Sequence, residues 1–502
     1  MDHCIYHTET QTQTYPALDQ SITCEIAIIG GGLSGLHAAY QLRKYFTNIC
    51  LFEADTIGYS NSGRNTGKIT LQQGLVYDSL LKSIGIEETK AWIAAGKEAH
   101  EKLRTMIAKH HLSCDYETAD SVIYATKEED REAIEKEYQA CRLLELDVDL
   151  HETLDFDSEC RLALTLKDQA AYNPQKFCSQ MARVLAEMNV CIYESTPIQA
   201  YEKQKDSVQL TSNEFTIKAD YVVIATAYPC FDDGNLYMLR LSALRSYIVA
   251  GEVKAPFPPT THYITETRPS KSLRYYQDHL MICGGDHRVG VEVPDPYLDL
   301  KELGWSMFHI SSFPYAWSAQ DYITVDHLPF CGPLSPYTKR MFVMTGYNQW
   351  GNLNAVICAS LITALLKKQE HPLQSILNSK RLLSIFGPDF TQANLTMIGE
   401  MIRSKLQPKG ALPTQPLEHQ IVSIQNHTYG AYMDEKQQLF LVDILCPHAG
   451  CTLRFNAHEK TWDCPCHSSR FHYDGTLLSG PATKSLHRFN DGHNKIDPHL
   501  FD

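Results

Sequence analysis

Near the C-terminal end, Cys446 and His448 stand one residue apart, and fifteen residues later come Cys464 and His467. Each short segment offers one thiolate and one imidazole. A [2Fe–2S] centre with two cysteines on one iron and two histidines on the other needs two such loops facing each other. Neutral imidazoles leave that centre less negative than four thiolates would, so its potential rises. The alternative is a structural zinc site, of Cys2His2 or Cys4 type once Cys451 and Cys466 are counted. Zinc ribbons pair two cysteines two to four residues apart with a second such pair, and the first loop fits that spacing less well. The surrounding pattern agrees with a loop-bearing β module. From Glu418 onward short alternating segments, Ala431–Met433 and Leu439–Leu445 among them, are separated by turns, over about 85 residues.

That module is a small part of a 502-residue chain, too long for one core. Near the N-terminus, Cys24 to Ile29 is a short apolar run. Gly30-Gly31-Gly32-Leu33-Ser34-Gly35 is a glycine-rich turn. Leu36 to Tyr45 has helical spacing, and Ile49 to Phe52 is a second apolar run ending at Glu53. This is a strand–helix–strand unit with the fingerprint of a dinucleotide site. Gly30 permits the tight turn, Gly32 lets the backbone approach a pyrophosphate, Gly35 packs helix on strand, and Glu53 accepts from a ribose hydroxyl. A plain glycine turn is the bland alternative. Helices are expected over Ile86–His111, Glu128–Leu146 and from Pro174 through Met188, with strands at Val190–Tyr193 and Tyr221–Thr226. Short β segments dominate Leu239–Asp286, and residues 370–412 read as a helical, polar connector.

Acidic residues outnumber basic ones, 59 to 45, which argues against nucleic acid as a partner, since phosphate contacts need clustered Lys and Arg. The longest apolar run, Leu353–Leu366, is too short to span a bilayer. The polar start, Met1–Ser21, shows no export pattern, so a cytoplasmic location is expected. Most of the sixteen cysteines then read as buried thiols.

Two resemblances sharpen these readings. Cys446-Pro-His-Ala-Gly-Cys451, Trp462-Asp-Cys-Pro-Cys-His-Ser-Ser-Arg-Phe471 and Ser479-Gly-Pro-Ala482 resemble the two ligand loops and the proline loop of the Rieske family. The resemblance implies Cys446, His448, Cys464 and His467 as cluster ligands and a Cys451–Cys466 disulfide tying the loops. In a reducing cytoplasm free thiols are the alternative for that pair. Two positions depart from the family's high-potential form: Ser468 stands where it has Gly, and Phe471 where it has a Tyr hydroxyl on a ligand sulfur. Ser469 keeps the hydroxyl that family members aim at a bridging sulfide.

The glycine turn, Ser62-Gly-Arg-Asn-Thr-Gly67, then Trp317, Gln320, Asp326, Leu328-Pro329, Gly332 and Gly346-Tyr-Asn-Gln-Trp-Gly351 occur in the order seen in the D-amino-acid oxidase-like family of FAD oxidoreductases. That resemblance implies FAD at Gly30, Gly32, Gly35, Glu53, Arg64, Asn65, Gly346 and Gly351. It implies an α/β, Rossmann-like FAD domain over 22–366 with an interleaved α+β substrate domain, mainly 85–165 and 230–325. A connector over 367–412 and an all-β Rieske domain over 413–502 complete the expected architecture.

No second glycine fingerprint follows a strand, so a small organic donor is expected rather than a nicotinamide. Arg274, Tyr247, His287 and Trp350 lie in segments that line the flavin in the resembling family. Arg274 would clamp a carboxylate with its planar fork, with an ion pair at a domain interface as the alternative. Tyr275 and Tyr276 read equally as strand packing, and His287 as a satisfied surface histidine. The expected activity is oxidation of a small amine or amino acid at a C–N bond (C–O being the variant). The electrons would pass through the cluster to an external acceptor, a protein or a quinone. Two other classes stay open: an oxidase using dioxygen with a structural cluster, and a redox sensor or relay with no substrate.

Overall fold

The computed structural model describes residues 3–9, 13–254, 257–258, 260–267, 269–381, 399, 409–424 and 427–489. The chain divides into two compact units, one of 1–235, 245–286 and 295–382, the other of 236–244, 287–294 and 383–502.

In the first unit the expected strand–helix–strand opens a parallel sheet. Ile22–Ile29 pairs in parallel with Ile49–Phe52 on one side and Phe215–Ile224 on the other. Cys191–Tyr193 and Met341–Thr345 extend the parallel sheet at its two ends, and Phe330–Pro333 adds an antiparallel edge. The strands are apolar on both faces, as a covered parallel sheet requires. Ile26, Ile28, Leu51 and Val223 enter one core with Leu36 and Leu42 of the helix Leu33–Leu42, and with Val356, Ile357 and Leu361 of the helix Gly351–Leu366.

The second sheet of this unit runs in the order 315–324, 241–252, 279–288, 271–276, 261–265, 117–125, 162–171 and 68–69. Because side chains alternate along a strand, its two faces differ. One carries Val122, Tyr124, Tyr247, Val249, Leu273, Leu280 and Ile282 against Leu300 and Phe308 of the helix Pro296–Phe308. The other carries Ile248, Tyr276, Met281 and Trp317, packed with Ile5 and Tyr6 of the short helix Ile5–Glu9.

Most helices form where the periodicity places them, with shifted ends. Asn173 caps Pro174–Glu187 by accepting from the Lys176 amide at 3.0 Å. The helix expected from Glu128 starts at Arg131, behind a 3-10 turn at Glu128–Asp130. It ends at Leu143, where Glu145 takes a left-handed φ of 58° that closes the last turn. The connector expected to be helical is made of turns from 367 to 381; of the remainder, 382–398 and 400–408 lie outside the described residues.

The second unit holds two antiparallel sheets. One is His419–Ile424, His427–Met433 and Leu439–Asp443; the other is Arg454–Asn456, Thr461–Asp463, Arg470–His472 and Leu477–Ser479. Val442, Ile444, Leu453, Trp462, Phe471 and Leu486 form its core. The segment 287–294 belongs to this unit, and the Arg454 Nη1 donates to the Gly290 carbonyl at 3.1 Å. Among the described residues no helix is long and apolar enough to cross a membrane.

Candidate functional site

The glycine turn is built from backbone constraints. Gly30 has φ of 110°, and a β-carbon there would stand 2.8 Å from the Ala225 carbonyl oxygen. A β-carbon on Gly35 would overlap the Gly30 carbonyl. Glu53, at the end of the second strand, accepts from the Gly31 amide at 2.6 Å and from the Asp55 amide at 3.0 Å. Burial pushes its carboxyl up, against the pull of those amides. The Leu33 amide donates to Ser62 Oγ at 2.9 Å, so the loop expected at the cofactor reaches the helix start. Gly32 caps that helix without a side-chain bond, and its first turn holds no acid. A glycine-lined helix N-terminus with no acid in its first turn is what a pyrophosphate needs, so the cradle fits a dinucleotide.

Arg64 and Asn65 shape the neighbouring loop. Trp317 Nε1 donates to the Arg64 carbonyl at 2.8 Å, and Arg64 Nε donates to the Ser318 carbonyl at 3.3 Å. Asn65 Oδ1 accepts from the Gly67 amide at 2.8 Å and from Asn352 Nδ2 at 2.9 Å. Gly346 sits at φ of 72°, and Gly351 begins the second helix, capped by Trp350 with no side-chain bond. Ser34 Oγ lies 2.8 Å from Tyr347 Oη and links the two helix starts.

The four substrate candidates fall in different places. Arg274 is buried, and its Nη1 donates to Tyr6 Oη, the Thr66 carbonyl and the Tyr172 carbonyl at 3.0, 2.5 and 2.9 Å. Its Nη2 lies 3.7 Å from Glu117 Oε1. Tyr247 is in the apolar cluster under the helix Pro296–Phe308, 4.9 Å from the Tyr297 ring. His287 lies in the second unit, with Nδ1 2.8 Å from the Arg288 carbonyl. Trp350 stays at the helix start.

Three polar residues that sequence reading passed over join this face. His262 is the register partner of Arg274, fully buried, with neither ring nitrogen hydrogen-bonded. Burial and then the charges of Lys68 and Arg274 hold its pKa well below the usual histidine range. Lys68 is 6% exposed and donates to Ser272 Oγ. Burial foremost lowers its pKa to about 7, with Arg274 acting in the same direction and Cys283 against it. Asp321 sits on the strand Tyr315–Thr324, bonded to the Tyr322 and Gln349 amides and the Asn61 side chain; burial still raises its carboxyl to about 6.

In the second unit the two loops close as facing hairpins. The Gly450 amide donates to the Cys446 carbonyl, and the Cys446 amide to the Cys451 carbonyl, both at 2.8 Å. In the other loop the Ser468 amide donates to the Cys464 carbonyl, and the Cys464 amide to the Ser469 carbonyl, both at 2.9 Å. Ser468 has φ of 67°, a left-handed turn where glycine is the unstrained choice. Cys446 and Cys464 are buried with their sulfurs hydrogen-bonded to each other, and His448 Nδ1 lies 3.2 Å from His467 Nδ1. The Cys464 sulfur also lies within 4.8 Å of those of Cys451 and Cys466, but these two are joined as a disulfide and cannot serve as thiolate ligands. The loops thus bring one cysteine pair together and one histidine pair together, a donor set that fits a two-cysteine, two-histidine [2Fe–2S] cluster. Ser469 Oγ accepts from the Ala482 amide at 3.0 Å and bonds the Cys446 sulfur.

Comparison with known proteins agrees with both sites. Residues 25–365 match the model of the FAD dependent oxidoreductase family, and residues 405–490 that of the Rieske [2Fe-2S] domain. The chain is 30% identical over 490 residues to the Rieske 2Fe-2S iron-sulfur protein YhfW of Bacillus subtilis (strain 168), covering 96% of each. It is 24% identical to gamma-glutamylputrescine oxidoreductase of Escherichia coli (strain K12), over 70% of this chain and 86% of that one. The crystal structure of glycine oxidase from Geobacillus kaustophilus superposes with a TM-score of 0.59 at 19% identity, over 72% of this chain and 99% of that one. The chain therefore belongs to the FAD dependent oxidoreductase family and carries a C-terminal Rieske domain, so that its cofactors are FAD and a [2Fe–2S] cluster.

Proposed function

We propose that this protein oxidises a small amine or amino acid at a C–N bond and passes the electrons through its Rieske cluster to an external acceptor, a protein or a quinone. The observation that carries the reading is one chain with a dinucleotide cradle beside a polar sheet face and, in a separate unit, a two-cysteine, two-histidine pocket. Bound FAD supplies a two-electron acceptor, and the cluster a one-electron carrier.

The chain's own residues do the rest. Gly30, Gly32, Gly35 and Glu53 hold the dinucleotide, and Arg64, Asn65, Gly346 and Gly351 shape the loops around it. Cys446, His448, Cys464 and His467 hold the cluster, and the Cys451–Cys466 bridge ties their loops. Arg274 fixes the sheet to the loop at Thr66 and leaves Nη2 toward Glu117, which orients the polar face rather than clamping a carboxylate alone. The names of two relatives support the choice of substrate: gamma-glutamylputrescine oxidoreductase and glycine oxidase.

An anaerobic screen tests this. Glycine, sarcosine, L-proline and putrescine are mixed with the purified protein, and flavin absorbance is followed. At least one amine is expected to bleach the flavin. Bleaching by NADH alone, with no response to any amine, contradicts the reading.

A further inference from the structure

A buried lysine is costly when charged. Transfer of an ammonium out of water is offset only by a carboxylate or by several good acceptors. Lys68 has neither. It is 6% exposed, and its Nζ meets one acceptor, the hydroxyl of Ser272. Among the described residues, the charged or ionisable groups acting on it are Cys283 and Arg274.

Its position is fixed from the cofactor side. Lys68 follows Gly67 directly, on a two-residue strand, Lys68–Ile69, at the edge of the substrate sheet. Asn352 Nδ2 donates both to the Lys68 carbonyl at 2.8 Å and to Asn65 Oδ1 at 2.9 Å. One amide side chain thus fastens Lys68 to the loop and the helix start assigned to FAD. The side chain then crosses to Ser272 and Cys283, register partners on the sheet.

Amine oxidation has a proton problem that such a residue solves. Alkyl amines are ammonium ions at neutral pH, with a pKa of about 10, and an ammonium nitrogen has no lone pair to stabilise the carbon as hydride leaves. We propose that Lys68 is the proton acceptor of amine oxidation: its neutral Nζ takes the ammonium proton of the substrate, so that the free amine is the species oxidised. The role rests on the amine reading above. In this transfer one N–H bond of the substrate breaks, one N–H bond on Lys68 forms, and no electron changes owner. Loss of the α-hydrogen as hydride from the free amine would then leave an iminium ion, bound FAD being the group that supplies the two-electron acceptor, and Lys68 would return its proton to solvent.

Burial is what chiefly favours the neutral form of Lys68, and the facing groups adjust it. Arg274 on 271–276 repels a second positive charge, and Cys283 on 279–288 acts the other way. His262 on 261–265 stays uncharged beside both. Glu117 on 117–125 is engaged by Arg274, as is Tyr6 from the N-terminal helix, and Asp115 accepts from Tyr276.

The test uses the FAD-loaded full chain with Lys68→Met and Lys68→Arg. Flavin content and thermal midpoints are measured from pH 6 to 10. Lys68 is charged in the unfolded chain up to about pH 10.4 and neutral in the folded one above about 7. The wild type therefore gains stability as pH rises through that window. The Lys68→Met midpoint should exceed the wild type's most at pH 7 and below, the gap shrinking toward pH 10. A gap that does not change between pH 7 and 10 means a charged Lys68 and overturns the proposal.

Anaerobic stopped-flow with the amine that bleaches the flavin best, from the four named above, gives the second reading. At pH 7.5 both variants should reduce flavin about 10²-fold more slowly than wild type, the usual size of a lost general base. The Lys68→Met rate should climb tenfold per pH unit as free amine appears, while the wild-type rate levels above about pH 7. Equal rates and equal profiles in wild type and Lys68→Met overturn the role and leave the amine reading standing. If no amine reduces the wild-type flavin at any pH, the amine reading falls and takes this role with it, even where the stability data show a neutral lysine.

Discussion

The tightest demand on any single residue is at Gly35. A β-carbon there would overlap the Gly30 carbonyl, whose own position is set by φ of 110°. Gly35→Ala must push the helix Leu33–Leu42 off its strand, so the variant should purify with less than half the wild-type FAD; absorbance at 450 nm against protein concentration measures it. Asp321 makes a different demand. Its carboxyl titrates near 6 because it is buried, although two amides and Asn61 support the charge. With the folded pKa raised, the native state holds its proton more tightly than the unfolded chain between about pH 4 and 6, so this residue's contribution to stability falls as pH rises through that window. Asp321→Asn removes the dependence. Its thermal midpoint, relative to wild type, should rise from pH 4 to 6 and then level off; a flat difference across that range would show that Asp321 is ionised throughout. The glycines were legible in sequence because their reasons are local: a turn, a close approach, a helix start three residues after Gly30. Lys68, His262 and Asp321 were not. Their chemistry comes from burial created by strands some two hundred residues away, and no short-range pattern marks a lysine that will have no carboxylate.

Among the elements, the helix Pro174–Glu187 ties the two sheets of the first unit. Its cap, Asn173, accepts from the Lys176 amide and donates through Nδ2 to Tyr276 Oη at 2.8 Å, and Tyr276 in turn donates to Asp115 at 2.7 Å. Asn173→Ala removes a cap worth about 1 kcal/mol and the shorter of two side-chain donations to Tyr276 Oη, the other coming from Gln277 Nε2 at 3.4 Å, which costs about 1 kcal/mol more. Chemical unfolding should show a loss of about 2 kcal/mol in the unit that holds FAD. Loss confined to the Rieske unit would contradict this. The cap was readable because Asn-Pro before an apolar period is a local start signal. The false start at Glu128 was not, since three consecutive acids favour a first turn wherever it begins and tertiary packing decides the residue. The loop hairpins at Cys446–Cys451 and Cys464–Ser469 were legible as ligand spacing, whereas Ser468 at a left-handed φ could be noticed only as a departure from glycine.

At the scale of the molecule, the sequence pattern places the change from flavoprotein to β module at about residue 413. The segments 236–244 and 287–294, embedded in the oxidoreductase sequence, fall in the compact unit that holds the two ligand loops. Nothing in their composition differs from a surface loop, and their place depends on side chains such as Arg454 that lie far along the chain. Two units with separate cores predict separable chemistry. On the proposed function, hydride removal would need the polar face and the FAD cradle, both in the first unit, and delivery to a one-electron acceptor would need the cluster. Cys446→Ala leaves one iron with a single protein thiolate, so the cluster should be lost while the first unit stays folded and loaded with FAD. In anaerobic stopped-flow, the variant's flavin should bleach with the active amine at close to the wild-type rate, while steady-state turnover with ferricyanide falls by more than tenfold. Unchanged turnover in a variant shown to contain no iron would mean that electrons leave without the cluster, and would contradict the account at its centre.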